Sequence, residues 1–385
     1  MAIVEQFVRI GRTPTAVASA VVFFANGFMF ANWFVRIPSV KDALAISKSE
    51  LGVALLFLAV GGIIAMQIAG ALITKLGSGR VAVMAGVFFV LVFSLAGFAD
   101  SLAMLCVALF LAGFGNGAMD VAMNAQADAA EAAIHQRIMS FCHAMFSLGL
   151  ALGSIPAGAI AAAEVPAGVH LLGVGAVLAI VIFIAGRFPS PDRVIEGPPP
   201  PAFALPRGPL LLFGLICFSG AIVEGGINDW IAVYVEDSLG HGPMAAATAF
   251  GTFAAAMFVA RLMGDVISER FGSTFAVRYG LTLAAAGLAL MATGNLPLVI
   301  TGSAAVGLGI AGVFPAVFRA AGNLPGRPPG PSMAAAVTLG YTGFLFGPPA
   351  IGFLADTIGL GLALAALIPL CLMGAALANS LRAAD

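Results

Sequence analysis

Charge is what this sequence has least of. Only 9% of its residues are Asp, Glu, Lys or Arg, against about 25% in soluble domains. A soluble chain of 385 residues could not coat its surface with so few. The net charge is −1, and the basic residues are scattered between apolar runs. That leaves no footing for nucleic acid as a partner. Cysteine is scarce as well. Cys106, Cys142, Cys217 and Cys371 all lie inside apolar runs, without a Cys-x-x-Cys pair or metal-ligand spacing. They read as packing residues, and neither a metal nor a cofactor is expected. No phosphate-binding Walker segment occurs, which excludes ATP drive within this chain. The sequence also lacks a His-Glu-x-x-His motif and a Ser/His nucleophile arrangement, so catalysis is not expected. A membrane sensor would carry a soluble signalling domain, and none is read here.

Apolar residues fill the space. They make up 61% of the chain, and the mean hydropathy is +1.07. Crossing a bilayer takes about 20 apolar residues. Twelve such runs can be placed: 14–37, 51–73, 79–98, 101–125, 137–162, 167–187, 208–234, 244–267, 274–293, 295–318, 332–355 and 358–380. The first is too long for a signal-peptide core of about 7–15 residues and reads as a spanning helix. Residues 188–207 carry seven prolines, four of them consecutive at Pro198–Pro201. Such a stretch cannot continue a helix and reads as an extended connector. The expected organisation is therefore a six-helix bundle over 1–187, a Pro-rich cytoplasmic linker over 188–207, and a second six-helix bundle over 208–385. If the N-terminus is cytoplasmic, fourteen lysines and arginines fall inside. Only Arg36, Lys41 and Lys48 fall outside. That bias predicts a multi-pass protein of the bacterial inner membrane with both termini cytoplasmic.

The two halves repeat each other. Residues 148–158 align with 342–352 at an offset of 194, and Gly113-Phe114-Gly115 aligns with Gly307-Leu308-Gly309 at the same offset. Lys75-Leu76-Gly77-Ser78 falls on Arg270-Phe271-Gly272-Ser273 at 195, and the only tryptophans, Trp33 and Trp230, lie 197 apart. A parallel repeat of two apolar halves is the sequence signature of a pseudo-symmetric transporter. Glycine is abundant at 48 residues, and Gly113–Gly117 and Gly149–Gly153 have the Gly-x-x-x-Gly spacing of close helix packing.

These features together resemble the major facilitator superfamily. Its loop signature after span 2 reads roughly G-x-x-x-D-R-x-G-R-R. This chain has Gly70-Ala-Leu-Ile-Thr74-Lys75-Leu76-Gly77-Ser78-Gly79-Arg80, with Thr74 where the acid is expected. The second copy keeps acid and base in Asp265, Glu269 and Arg270. Lys75, Arg80, Asp265, Glu269 and Arg270 are accordingly expected to act in the gate loops. Span 5 resembles the superfamily's Gly/Pro-rich span in Gly149-x-x-x-Gly153-x-x-Pro156, repeated at Gly343, Gly347 and Pro348. The basic residue that many members carry early in span 4 is absent. The segments Gly115-Asn-Gly-Ala-Met-Asp120-Val-Ala-Met-Asn124-Ala-Gln126 and Glu224-Gly-Gly-Ile-Asn228-Asp229-Trp230 are similar to the YbjJ-like inner-membrane permease subgroup. The resemblance implies twelve helices in two pseudo-symmetric bundles that rock about a central site lined by spans 1, 4, 7 and 10.

The polar residues inside the apolar runs are the candidate site. An ionisable group at the bilayer centre costs at least about 2.5 kcal/mol on insertion scales, so it faces a protein interior or water. Asn116, Asp120 and Asn124 recur every four residues and share one face of span 4. That face reads either as a cavity lining or as a seam of interhelical hydrogen bonds. His143 in span 5 lies at a similar depth to Asp120, and an Asp–His pair can pass a proton near neutral pH. Glu224 and Asn228 are four apart on span 7, with Asp229 turned aside. Proton coupling is assigned to Asp120, His143, Glu224 and Asp229. Asn26, Asn32, Asn116, Asn124, Asn228 and Tyr341 are assigned to substrate or cavity. Trp33 and Trp230 fall near outer span ends, where an interfacial aromatic belt expects them. Arg261 and Arg319 read as snorkelling or loop-latching residues at cytoplasmic span ends.

The function these readings imply is secondary active transport of a small organic solute by alternating access, coupled to protons. A sodium site built from Asn and Asp oxygens is the alternative. Amides and acids, without a basic cluster, favour a neutral polar metabolite or sugar over a phosphorylated solute. Export of amphiphilic or cationic compounds is the competing reading. The expected partners are the solute, protons and the lipid bilayer, and the chain is expected to be monomeric.

Overall fold

The computed structural model describes residues 11, 13–135, 138–191, 206–325 and 327–383, without the side chains of Asp265 and Pro329. Most of the Pro-rich linker, residues 192–205, lies outside the described residues, as does most of the polar start. Among the described residues the regular structure is helical, with no strand. Twelve helices are long and apolar enough to cross a bilayer. In chain order these spans are Pro14–Ala43, Lys48–Leu76, Ser78–Gly97, Leu102–Ile134, Met139–Ala162, Ala167–Ala185, Pro209–Ser238, Pro243–Gly264, Ser273–Met291, Leu296–Gly322, Gly330–Ile358 and Leu360–Arg382.

Several helices outrun the apolar stretches that predict them, and polar chemistry sets their ends. Span 2 starts at Lys48 because Ser47 and Glu50 form a capping box. The Glu50 backbone N–H donates to Ser47 Oγ at 3.2 Å, and the Ser47 N–H donates to Glu50 Oε2 at 2.8 Å. Span 4 continues from its apolar run, which ends at residue 125, to Ile134 through an alanine-rich segment, since alanine is the best helix former. Its Glu131 then accepts from the backbone N–H groups of Ile138 and Met139 at 2.8 and 3.2 Å, which fixes the start of span 5. Span 10 is interrupted between Ile310 and Val313. Pro315 has no N–H to give the carbonyl of Ala311, four residues earlier.

The chain divides into two compact units, residues 1–45 with 57–195, and residues 46–56 with 196–385. In the first, span 1 packs chiefly along span 5 and span 3 along span 4. In the second, span 7 packs along span 11 and span 9 along span 10, which is the same scheme. The repeat is thus carried by packing. A Cβ on Gly113 would stand 1.9 Å from the Leu58 carbonyl oxygen, and one on Gly307 would stand 2.3 Å from that of Phe253. Leu58 and Phe253 are themselves 195 apart. Both glycines let span 4 or span 10 lie backbone to backbone on the preceding even-numbered span. The loops after spans 2 and 8 match as well, turning at Gly77 and Gly272 with φ of 86° and 83°, a region closed to most L-residues.

Residues 46–56 belong with the second unit. Asp356 accepts from the backbone N–H groups of Lys48 and Ser49 at 3.3 and 2.8 Å, and from the Ser49 hydroxyl. A carboxylate from span 11 therefore caps the start of span 2.

The tryptophans do not form an interfacial belt. Trp33 and Trp230 are both fully buried. Trp33 lies against Phe93, with ring centroids 5.2 Å apart. Their depth along the helix suits a belt, but their rotation turns both inward, and the packing gain of a buried indole decides the outcome.

Candidate functional site

In the first unit the amides meet across helices. Asn26 of span 1 is buried and donates from Nδ2 to Asn116 Oδ1 of span 4 at 2.7 Å, with Met119 Sδ at 3.4 Å. Asn116, Asp120 and Asn124 are half-buried on a shared face, while Gly115, Gly117, Met119 and Met123 are buried. The four-residue spacing thus marks one half-buried stripe of span 4. Asn124 Nδ2 donates to the Asp120 backbone oxygen at 2.8 Å and to its Oδ1 at 3.3 Å. The carboxylate is oriented by its own helix. The His143 ring of span 5 packs edge-on against Phe23 at 5.1 Å. Asn32 is buried and donates to the Phe28 carbonyl oxygen one turn back at 2.7 Å, while its Oδ1 has no hydrogen-bond partner among the described residues.

The second unit holds a charged pair instead. Arg261 Nη2 of span 8 lies 3.4 Å from Glu224 Oε1 of span 7, with both side chains largely shielded. Arg261 lies three residues before the end of span 8 at Gly264, and Glu224 is a partner that the sequence reading did not give it. A guanidinium so shielded needs a counter-charge, and Glu224 supplies one. Asn228, one turn from Glu224, has a buried Oδ1 with no hydrogen-bond partner among the described residues. Asp229 is buried, and Tyr341 of span 11 is 39% exposed.

The gate-loop residues Lys75, Arg80, Glu269 and Arg270 are exposed at the ends of their spans. The side chain of Asp265 lies outside the described residues. Thr74 spends its hydroxyl on the Gly70 carbonyl oxygen of its own helix, so it does not replace the missing acid. Arg270 lies over the Phe271 ring at 5.4 Å.

Two polar centres escaped the sequence reading. Gln126 of span 4 donates to Ser78 Oγ at 2.6 Å and to the Ser190 carbonyl oxygen at 3.2 Å, and accepts from the Ser190 N–H at 2.7 Å. It ties the end of span 6 to spans 3 and 4. Its signal was its place beside the Asp120 stripe, which drew attention to the neighbours instead. The other is His170, buried near the start of span 6. No group of three or more His, Cys, Asp or Glu suited to a metal ion occurs among the described residues.

Comparison with known proteins agrees with this architecture. The family model of the Major Facilitator Superfamily matches residues 19–339. An uncharacterized MFS-type transporter of Yersinia pestis is 32% identical over 375 residues, covering 94% of this chain and 95% of that one. Membrane protein MosC of Rhizobium meliloti is 31% identical over 369 residues, covering 92% and 87%. Among solved structures, a bacterial homolog of the human lysosomal transporter Spinster superposes with a TM-score of 0.71 at 15% identity, covering 96% of each chain. At that identity the likeness speaks for the fold alone. With a family model spanning most of its length, full-length relatives above 30% identity and twelve helices able to cross a bilayer, this chain belongs to the major facilitator superfamily of membrane transporters.

Proposed function

We propose that this protein is a proton-coupled secondary transporter of the bacterial inner membrane, with both termini cytoplasmic, moving a small neutral polar solute by alternating access. The observation that carries the reading is the Glu224–Arg261 pair inside the second unit. Two opposite charges held away from water interact strongly, and protonating the carboxylate removes one of them. Proton uptake at Glu224 therefore changes what Arg261 is held by, and with it the packing of span 7 on span 8. That is the kind of two-state local change that transport can be coupled to. The first unit contributes uncharged hydrogen-bonding groups, Asn26, Asn116 and Asn124, beside Asp120. Such groups suit hydroxyls and amides better than phosphates.

A second reading, proton-driven export of cationic amphiphiles, draws on aromatic rings packed against span 7, the helix that carries Glu224. Phe314 stacks on Phe344 at 6.3 Å, and Phe344 lies against Gly225, next to Glu224 in the chain. A carboxylate near aromatic faces suits an organic cation. Both readings are tested in proteoliposomes under an imposed pH gradient, with candidate sugars, amino acids and quaternary amines as solutes. Solute-dependent proton flux is expected in the wild type and lost in Glu224→Gln and Asp120→Asn. Full uphill transport by both variants would remove the proton sites proposed here. Flux driven only by quaternary amines would select the exporter.

A further inference from the structure

We propose that the first unit carries a phospholipid-binding cleft on its membrane-facing side, organised by His170. The cleft measures about 390 Å³, and Phe28, Ile160, Val165, His170, Gly173 and Val177 are among the residues that line it. His170 is only 5% exposed, and both of its ring nitrogens lack a hydrogen-bond partner among the described residues. Every other side chain lining the cleft is hydrocarbon. Buried among hydrocarbon side chains the imidazole is kept from water, and a polar group left unmet there costs several kcal/mol. The cleft therefore calls for an occupant with one hydrogen-bonding group and a long apolar remainder. A membrane phospholipid meets both demands.

Depth and shape agree with that occupant. His170 is the fourth residue of span 6, near a helix end, and the ends of a spanning helix lie toward the lipid headgroups. From there to Leu178, the last lining residue along span 6, the helix advances about 12 Å. Over that length Gly173, Val174 and Val177 present a track for one acyl chain. A Cβ on Gly173 would meet nothing within 4 Å, so the track is open where a side chain would fill it. Val169 and Val177 are more than half exposed, which opens the cleft toward lipid. The Arg36 guanidinium stands at the same end, donating to the carbonyl oxygen of Val165, a lining residue, at 2.6 Å. Positive charge at that end of the cleft favours phosphate or ester oxygens in the ligand.

The test uses the full chain in proteoliposomes containing a trace of phosphatidylglycerol with a diazirine on one acyl chain, followed by photolysis and peptide mapping. Saturable labelling concentrated on the span 6 peptide is expected. Gly173→Leu fills the track without a backbone clash and should abolish that labelling while leaving the thermal unfolding midpoint in detergent unchanged. His170→Leu leaves the track open but removes the polar anchor. It should raise the lipid fraction needed for half-saturation about fivefold to tenfold, the ratio that one hydrogen bond corresponds to. Labelling that rises in proportion to lipid on every exposed helix, or that persists undiminished in both variants, would overturn the proposal.

Discussion

The two units share a packing scheme and differ in what they bury. At the 194-residue offset Asp120 falls on Phe314 and His143 on Val337; at the tryptophan offset Glu224 falls on Gly27. In the first unit a Cβ at Gly27 would stand 2.0 Å from the Phe146 carbonyl oxygen, so that position is given to close packing of span 1 on span 5. In the second unit the matching position carries a carboxylate paired with Arg261. Conversely, the polar stripe of span 4 has an aromatic ring as its counterpart, Phe314 stacked on Phe344. Span 4 is one continuous helix of 33 residues, whereas span 10 breaks before Pro315. The shared positions are those where backbones touch, which a duplicated scaffold has to keep. The positions that differ are those where a side chain is free to carry chemistry.

The sharpest way to break this contrast is to unpair the second unit's charges. Glu224→Ala or Arg261→Ala alone removes one charge of a largely shielded pair and should destabilise the protein by about 3 kcal/mol, whereas replacing both by apolar residues of similar volume should restore most of the loss. Denaturation of the purified protein in detergent, measured for the two singles and the double, checks this. If each single cost no more than the double, the pair would not be the structural centre of that unit.

The shared scaffold gives the next largest effect. Gly113→Val and Gly307→Val should each overpack a backbone contact and cost about 1–3 kcal/mol, with similar values in the two halves. A large difference between them, read from unfolding midpoints, would show that the repeat is only sequence-deep.

The smallest effect belongs to the first unit's amides. A double-mutant cycle on Asn26→Ala and Asn116→Ala should give a coupling near 0.6 kcal/mol, the average for interhelical hydrogen bonds in membranes. Transport should fall by far more than that coupling explains if the pair contacts solute. An equal fall in stability and transport would reduce it to a seam between spans 1 and 4.

Much of this was legible in the chain. Twelve spans follow from runs of apolar residues, because a bilayer demands length and hydrophobicity and both are local properties. The parallel repeat follows from matched glycines, and the half-buried stripe of span 4 from a four-residue spacing, because helical geometry converts spacing into direction. Partners were the harder matter. Asn26 and Asn116 are 90 residues apart and Glu224 and Arg261 are 37 apart, and no periodicity relates them. Which side chains meet depends on how far each helix is rotated and how deep it sits against its neighbours, and backbone contacts such as Gly113 on Leu58 set both. The same rotation buried the two tryptophans, made Arg261 a partner of Glu224, and left His170 facing an open apolar cleft. The sequence by itself determined the number of helices, their duplication and which faces are polar. Only the tertiary structure decided which of those faces meet, because that choice rests on contacts between residues far apart in the chain.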